Sequence, residues 1–132
     1  MFGYAGKILE IDLSSGSVKQ AETPEGLLRR FIGARGLGAA LLYKKLSPGT
    51  DALGPENLLI FATGPVTGTP LPACARSELV TKSPLTNTYL CSSAGGFFGA
   101  ELKFAGFDCL IIRGKAEEPS WLYISGDGVE FR

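Results

Sequence analysis

The chain has 132 residues and a mass of 13.9 kDa, and its 45% hydrophobic and 20% charged residues supply one packed domain and exclude intrinsic disorder. Thirteen Lys and Arg balance thirteen Asp and Glu, so no net field draws it onto nucleic acid or an anionic membrane surface. Histidine is absent, which removes Ser-His-Asp triads and His-ligated zinc from this chain taken alone.

Residues 7–13 (KILEIDL) alternate with a period near two, Ser14-Ser15-Gly16 turns, and residues 17–21 return, so the chain should open on a hairpin. Thr23-Pro24-Glu25 is a helix start in which Thr23 should accept from the orphan N–H groups and Pro24 has no N–H to satisfy. Leu27, Leu28, Phe31 and Ile32 form the apolar stripe that follows. Gly33, Gly36 and Gly38 should break or bend that helix before Leu41, Leu42 and Leu46 resume the stripe. Residues 57–63 are a short run apolar on both sides, as in a buried strand, and residues 64–72 are rich in Gly, Pro and Thr. Residues 78–81 and 88–91 read as strands joined by a turn over 83–87. Gly95-Gly96 precedes a second helix carrying Phe97, Phe98, Leu102 and Phe104, closed by Gly106, with Glu101 and Lys103 on its solvated face. Strands at 109–112, 121–124 and 129–131 follow, with a hairpin turn at Gly126-Asp127-Gly128 and with Trp121 and Tyr123 on a core face. The chain closes at Arg132 directly after a strand, an ending expected of a single domain, residues 1–132, cut from a longer protein.

Cys74, Cys91 and Cys109 include no C-x-x-C pair, so they read as buried thiols rather than as a zinc or iron–sulfur site, and they suit a reducing interior. No signal peptide opens the chain and no apolar run is long enough to span a bilayer, so the expected location is cytoplasmic.

Eighteen glycines are about double ordinary usage, and they mark loops where backbone can approach a ligand. The functional suspicion falls on Arg76 and on the small-residue run Ser92, Ser93, Ala94, Gly95 and Gly96. Amides at the start of a helix favour an anion, and a planar guanidinium suits phosphate or a fused heterocycle. On residues alone, the same features also fit a tight strand-to-helix turn beside a solvated surface cation. Gly33-Ala34-Arg35-Gly36-Leu37-Gly38 reverses the dinucleotide fingerprint and follows a helix, so it reads as a bend between helix segments. No carboxylate pair stands out as an acid/base couple.

Three segments together, residues 64–69 (GPVTGT), 80–86 (VTKSPLT) and 95–108 (GGFFGAELKFAGFD), closely resemble the N-terminal domain of tungsten-containing aldehyde:ferredoxin oxidoreductases. The resemblance runs from about Tyr4 to about Ile124. It implies an α+β, β-rich fold: two antiparallel or mixed β-sheets in a saddle, with a few short helices. It implies a tungsten (or molybdenum) bis-molybdopterin cofactor resting on that saddle, and an enzyme that oxidises an aldehyde to a carboxylic acid. Electrons would pass through a 4Fe-4S cluster, held with the help of later domains, to ferredoxin. Carried over by position, Arg76 lies between pterin and cluster, Ser93 offers its main-chain carbonyl to a Mg2+ bridging the pterin phosphates, and Gly95 is a backbone contact, with Ala94 and Gly96 beside it. Ser93 stands where the family usually has asparagine, and Cys74 stands in a stretch that is usually glycine-rich. The chain carries no cluster motif, no second pterin segment and no later acid/base residues, so no catalytic residue is assigned in it. Expected partners are the remaining domains or subunits, ferredoxin, the aldehyde and a second copy of the chain. A stand-alone, non-catalytic module binding pterin or another phosphate ligand is the alternative, and a structural remnant driving self-association is a third.

Overall fold

The computed structural model describes residues 2–126 and 128–132. Eight strands and three helices follow one another as β1 (Lys7–Asp12), β2 (Ser17–Glu22), α1 (Glu25–Phe31), α2 (Ala34–Lys45), β3 (Leu59–Thr63), β4 (Ser77–Lys82), β5 (Tyr89–Ala94), α3 (Phe98–Phe104), β6 (Cys109–Arg113), β7 (Leu122–Ser125) and β8 (Gly128–Phe131). Six strands form a mixed sheet in the order β2-β1-β6-β3-β4-β5, and β7 and β8 form a separate antiparallel pair. Only the β1–β6 pairing is parallel within the described strands. The expected β-rich fold with two unequal sheets and short helices is therefore present.

Successive side chains of a strand point to opposite faces, so the central strands feed two cores. Ile8, Ile60, Ala62, Val80, Cys109 and Ile111 pack with Leu28, Leu37, Leu41 and Leu42 of α1 and α2 on one face. Leu9, Ile11 and Leu110 pack with Leu102 and Phe107, and with Leu122, Ile124 and Val129, on the other. The large sheet is thus the middle layer of three.

Several local expectations change in this setting. Thr23 does not cap α1: the N-cap is Pro24, with no side-chain bond, and the buried Thr23 hydroxyl donates to Asp108 at 3.4 Å. Ile32 leaves the apolar stripe, because α1 ends at Phe31 and Ile32 sits exposed at φ 63°. Gly33 does separate α1 from α2, but Gly36 and Gly38 lie inside α2. Gly38 is there for contact: a Cβ would come within 2.7 Å of Val80 Cγ2, so α2 seats on β4 only without a side chain. Trp121 and Tyr123 are exposed rather than core, and Arg132 lies over both rings, while Leu122 and Ile124 face inward. Lys103 is also not solvated. It is 10% exposed and donates to Asp108 at 2.8 Å and to the Gly3 carbonyl at 2.7 Å. Glu101 is exposed as expected. Ser125 and Gly128 pair at the β7–β8 turn, and Asp127 lies outside the described residues.

Asp108 is the clip that holds the first residues onto the sheet. Its side chain, 1% exposed, accepts from the amides of Ala5 (2.9 Å) and Gly6 (2.7 Å) besides Lys103 and Thr23. Its carbonyl accepts from the Thr63 amide and hydroxyl, both at 2.9 Å.

Candidate functional site

Strands β4 and β5 are antiparallel, with Ser77 opposite Ala94, Glu78 opposite Ser93 and Val80 opposite Cys91. Arg76 is the residue before β4 and Gly95 the residue after β5, so both lie one step beyond the same end of this ladder. Directly opposed residues in such a ladder have Cα atoms roughly 4.5–5.5 Å apart. The register therefore gathers Arg76, Ser93, Ala94, Gly95 and Gly96 at one edge of the sheet, since β5 is an outer strand. All five are exposed.

The small-residue run has a different form from the expected loop at a helix start. Ser92, Ser93 and Ala94 belong to β5, and α3 begins only at Phe98, after the connector 95–97. The open groups at this end are thus the outer backbone edge of a strand and a bare diglycine, not a helical nest. A Cβ on Gly95 or Gly96 would meet nothing within 4 Å, and Gly96 takes φ +85°, a conformation glycine adopts without strain. Small residues keep this floor open to whatever lies above it.

Beside this ladder end, on the α2 face of the sheet, sits a polar cluster. Glu78, 7% exposed, accepts from the Ser93 hydroxyl at 2.7 Å on one oxygen and from the Cys91 thiol at 3.0 Å on the other. The Arg35 guanidinium, from the first turn of α2, stands 3.8 Å from the second oxygen. Burial alone would raise the Glu78 carboxyl, but the Cys91 and Ser93 bonds and the charges of Arg35 and Arg76 outweigh it and hold it below the ordinary carboxylate value. Burial, followed by the Glu78 carboxylate, pushes the Cys91 thiol up, so it stays protonated. Burial, followed by Cys91, pushes the Tyr89 phenol up to about 12. One carboxylate, with Arg35 beside it and Arg76 two residues before it in the chain, thus sits among otherwise neutral neighbours.

The loop bearing Arg76 is tied down through its main chain. The buried Thr67 hydroxyl donates to the Arg76 carbonyl at 3.2 Å and accepts from the Gly64 amide at 3.0 Å, and the Gly68 amide donates to the Cys74 carbonyl at 2.9 Å. Cys74 is half-buried in the same loop, and its thiol faces the Pro72 carbonyl at 3.5 Å. Among the described residues no group of three or more His, Cys, Asp or Glu could hold a metal ion.

Sequence reasoning missed Arg35 and Glu78. Arg35 was hidden in a glycine-rich stretch that reads as a helix bend. The signal for Glu78 was present: it alternates in step with Val80, a core residue, so it lies on a covered face where a charge needs partners. Two clefts lie away from the ladder end. One of about 290 Å³ holds the Lys45–Glu10 and Arg113–Asp12 ion pairs, and one of about 510 Å³ lies between α3 and β7.

Residues 8–132 match the family described as aldehyde ferredoxin oxidoreductase, N-terminal domain. The chain is 49% identical over its full length to a tungsten-containing aldehyde ferredoxin oxidoreductase of Pyrococcus abyssi, of which it covers 22%. It is 44% identical over its full length to the WOR-like subunit of an aliphatic sulfonate oxidoreductase of Pyrococcus furiosus, of which it covers 21%. A solved structure, the active-site complex BamBC of benzoyl coenzyme A reductase with 1,5-dienoyl-CoA, superposes with a TM-score of 0.95 at 40% identity, covering 99% of this chain and 20% of that one. The chain thus spans about a fifth of the length of the relatives it matches.

Proposed function

The chain belongs to the aldehyde ferredoxin oxidoreductase family as its N-terminal domain, and we propose that it grips one side of a tungsten (or molybdenum) bis-molybdopterin cofactor in such an enzyme. The observation that carries this reading is the β4–β5 register, which puts Arg76 and Gly95 at one open end of the ladder. The residues present fit the group: an exposed guanidinium for a phosphate or pterin ring, and a stretch of backbone that no side chain covers. Arg76 would hold the anionic tail, the Ser93 carbonyl would face a bridging Mg2+, and Ala94, Gly95 and Gly96 would offer main-chain contacts. The Ser93 hydroxyl is already bonded to Glu78, so this residue meets a ligand through its main chain.

When bound, the metal and its pterins supply the oxidation of an aldehyde with water to a carboxylic acid, two electrons leaving through a 4Fe-4S cluster to ferredoxin. This chain's part is to bind and orient; the cluster, the acid/base residues and the substrate cavity belong to the remaining domains or subunits. Relatives carrying this domain are named for an aldehyde and for an aliphatic sulfonate, so the substrate would be selected outside residues 1–132. A cytoplasmic setting suits the three free thiols. The exposed Phe97, Phe98 and Phe104 offer apolar surface to the missing domains or, in their absence, to a second copy.

The test is metal, pterin and iron analysis of the natively purified protein, kept anaerobic. Tungsten or molybdenum with pterin and a 4Fe-4S signal is expected, and Arg76→Ala should lower retained cofactor about tenfold, the scale of one charge-assisted contact. Pterin without the cluster would instead identify a non-catalytic binding module. Retention unchanged in Arg76→Ala would remove this site from consideration.

A further inference from the structure

We propose that Arg35 is a second anion-gripping residue of this site beside Arg76, with Glu78 acting as its positioning residue. This rests on the cofactor-cradling reading above and adds to it a residue from a different element, α2. Five cations of the described chain hold a carboxylate at hydrogen-bond distance: Arg29 on Glu25, Lys45 on Glu10, Lys103 on Asp108, Arg113 on Asp12 and Arg132 on Glu130. Arg35 differs, standing off at 3.8 Å with its side chain 66% exposed. The reason lies in the partner: Glu78 already receives Ser93 on one oxygen and Cys91 on the other. Arg35 is thus held against the Cys91 thiol and the Glu78 carboxylate without a close ion pair, and the exposed two thirds of its side chain leave N–H donors of the fork facing outward.

Its position on the helix points the same way. No acidic residue occupies the first turn of α2, where the dipole disfavours a cation. Glu78 offsets that charge from the neighbouring strand. Arg76 lies two residues before Glu78, at the ladder end where Ser77 faces Ala94, so two cations and one carboxylate gather near the open diglycine. The surplus of one positive charge, on two planar forks, suits a phosphate group with its oxygens spread over more than one donor. Glu78 lies on β4 opposite Ser93, so a single carboxylate ties the strand edge to the Arg35 guanidinium.

The experiment uses the natively purified holoprotein, with pterin and metal per chain measured after long anaerobic dialysis at low and at raised salt. Arg35→Ala should lower retention about tenfold at moderate salt and flatten its salt dependence, because an ionic contact has gone. Arg35→Lys should recover part of it, and Lys19→Ala, an exposed cation on β2 at the opposite edge of the sheet from β5, should behave as wild type. Glu78→Gln keeps the shape but not the charge, and should lower retention with the melting temperature followed in parallel. Arg35→Ala retaining cofactor like wild type while Arg76→Ala loses it would overturn the role of Arg35 alone. Retention intact in both would overturn the site itself. Glu78→Gln indistinguishable from wild type would overturn the positioning role.

Discussion

Removing the carboxylate of Asp108 is the sharpest probe of how this fold holds together. Asp108→Ala deletes the acceptor of the buried Lys103 ammonium and of the Ala5 and Gly6 amides, and frees the Thr23 hydroxyl. Breaking a buried pair from one side costs about 3–5 kcal/mol, because the other charge is left without its counterion. Lys103 keeps the Gly3 carbonyl and the Tyr4 ring, which moderates the loss, while the two orphaned amides each add up to about 1 kcal/mol. About 4 kcal/mol is the expected sum, against a total stability of about 5–15 kcal/mol for a domain. At roughly 3–5 °C per kcal/mol for a chain of this size, the melting temperature should fall by about 12–20 °C. Urea unfolding should show a lower midpoint with the slope unchanged, since native and denatured surfaces are otherwise alike. Lys103→Met should cost less, because Asp108 retains its amide donors. A loss below about 1 kcal/mol, the worth of an exposed ion pair, would refute the reasoning.

Two further outcomes follow from the packing and the charges. Gly38→Ala should destabilise by about 1–3 kcal/mol, since the added methyl meets Val80 at 2.7 Å and α2 must lift from the sheet; a neutral result in urea unfolding would mean that the helix shifts freely. Burial alone would raise the Asp12 carboxyl, but the Ser15 and Ser14 amides and Arg113 outweigh it and hold it below the ordinary value. The folded pKa is therefore the lower one, so Asp12 contributes stability above about pH 4 that disappears as pH falls through its folded value. The stability gap between wild type and Asp12→Asn should close in that acid range, and a gap constant down to pH 2 would contradict the assignment.

What could be read from sequence was what is local. The β1–β2 and β4–β5 hairpins carry their turns between them, and the apolar run 59–63 announces a buried strand. The placement of β6 between β1 and β3 depends on pairings as distant in sequence as Leu59 with Ile112 and Ile8 with Cys109, for which no short pattern exists. Alternation shows that Trp121 and Tyr123 share a face but not which face is covered, and the covered one is that of Leu122 and Ile124. Lys103 looked like a surface charge because its partner Asp108 lies beyond the helix end, past the Gly106 turn. At the candidate site, Arg76 and the diglycine were legible through their chemistry and the family resemblance. Arg35 was not, because only the seating of α2 on β4 brings it to Glu78.

The shared stretch of family-like sequence also divides by physical role. Of residues 95–108, Gly95 and Gly96 face open space, whereas Gly99, Leu102, Phe107 and Asp108 are buried and Lys103 is nearly so. The buried positions of that segment therefore clamp α3 to the sheet, while the diglycine, Phe97, Phe98, Glu101 and Phe104 are its open positions. Relatives named for different reactants share this architecture, one of them superposing at a TM-score of 0.95. A site that served unlike substrates by contact would need a lined cavity shaped to each; the ladder end has cations, small side chains and bare amides instead. Such a surface recognises charge and leaves room, which is what a cofactor tail common to all of them would require. On the proposed reading, then, specificity for the reactant is set by parts of the enzyme outside residues 1–132.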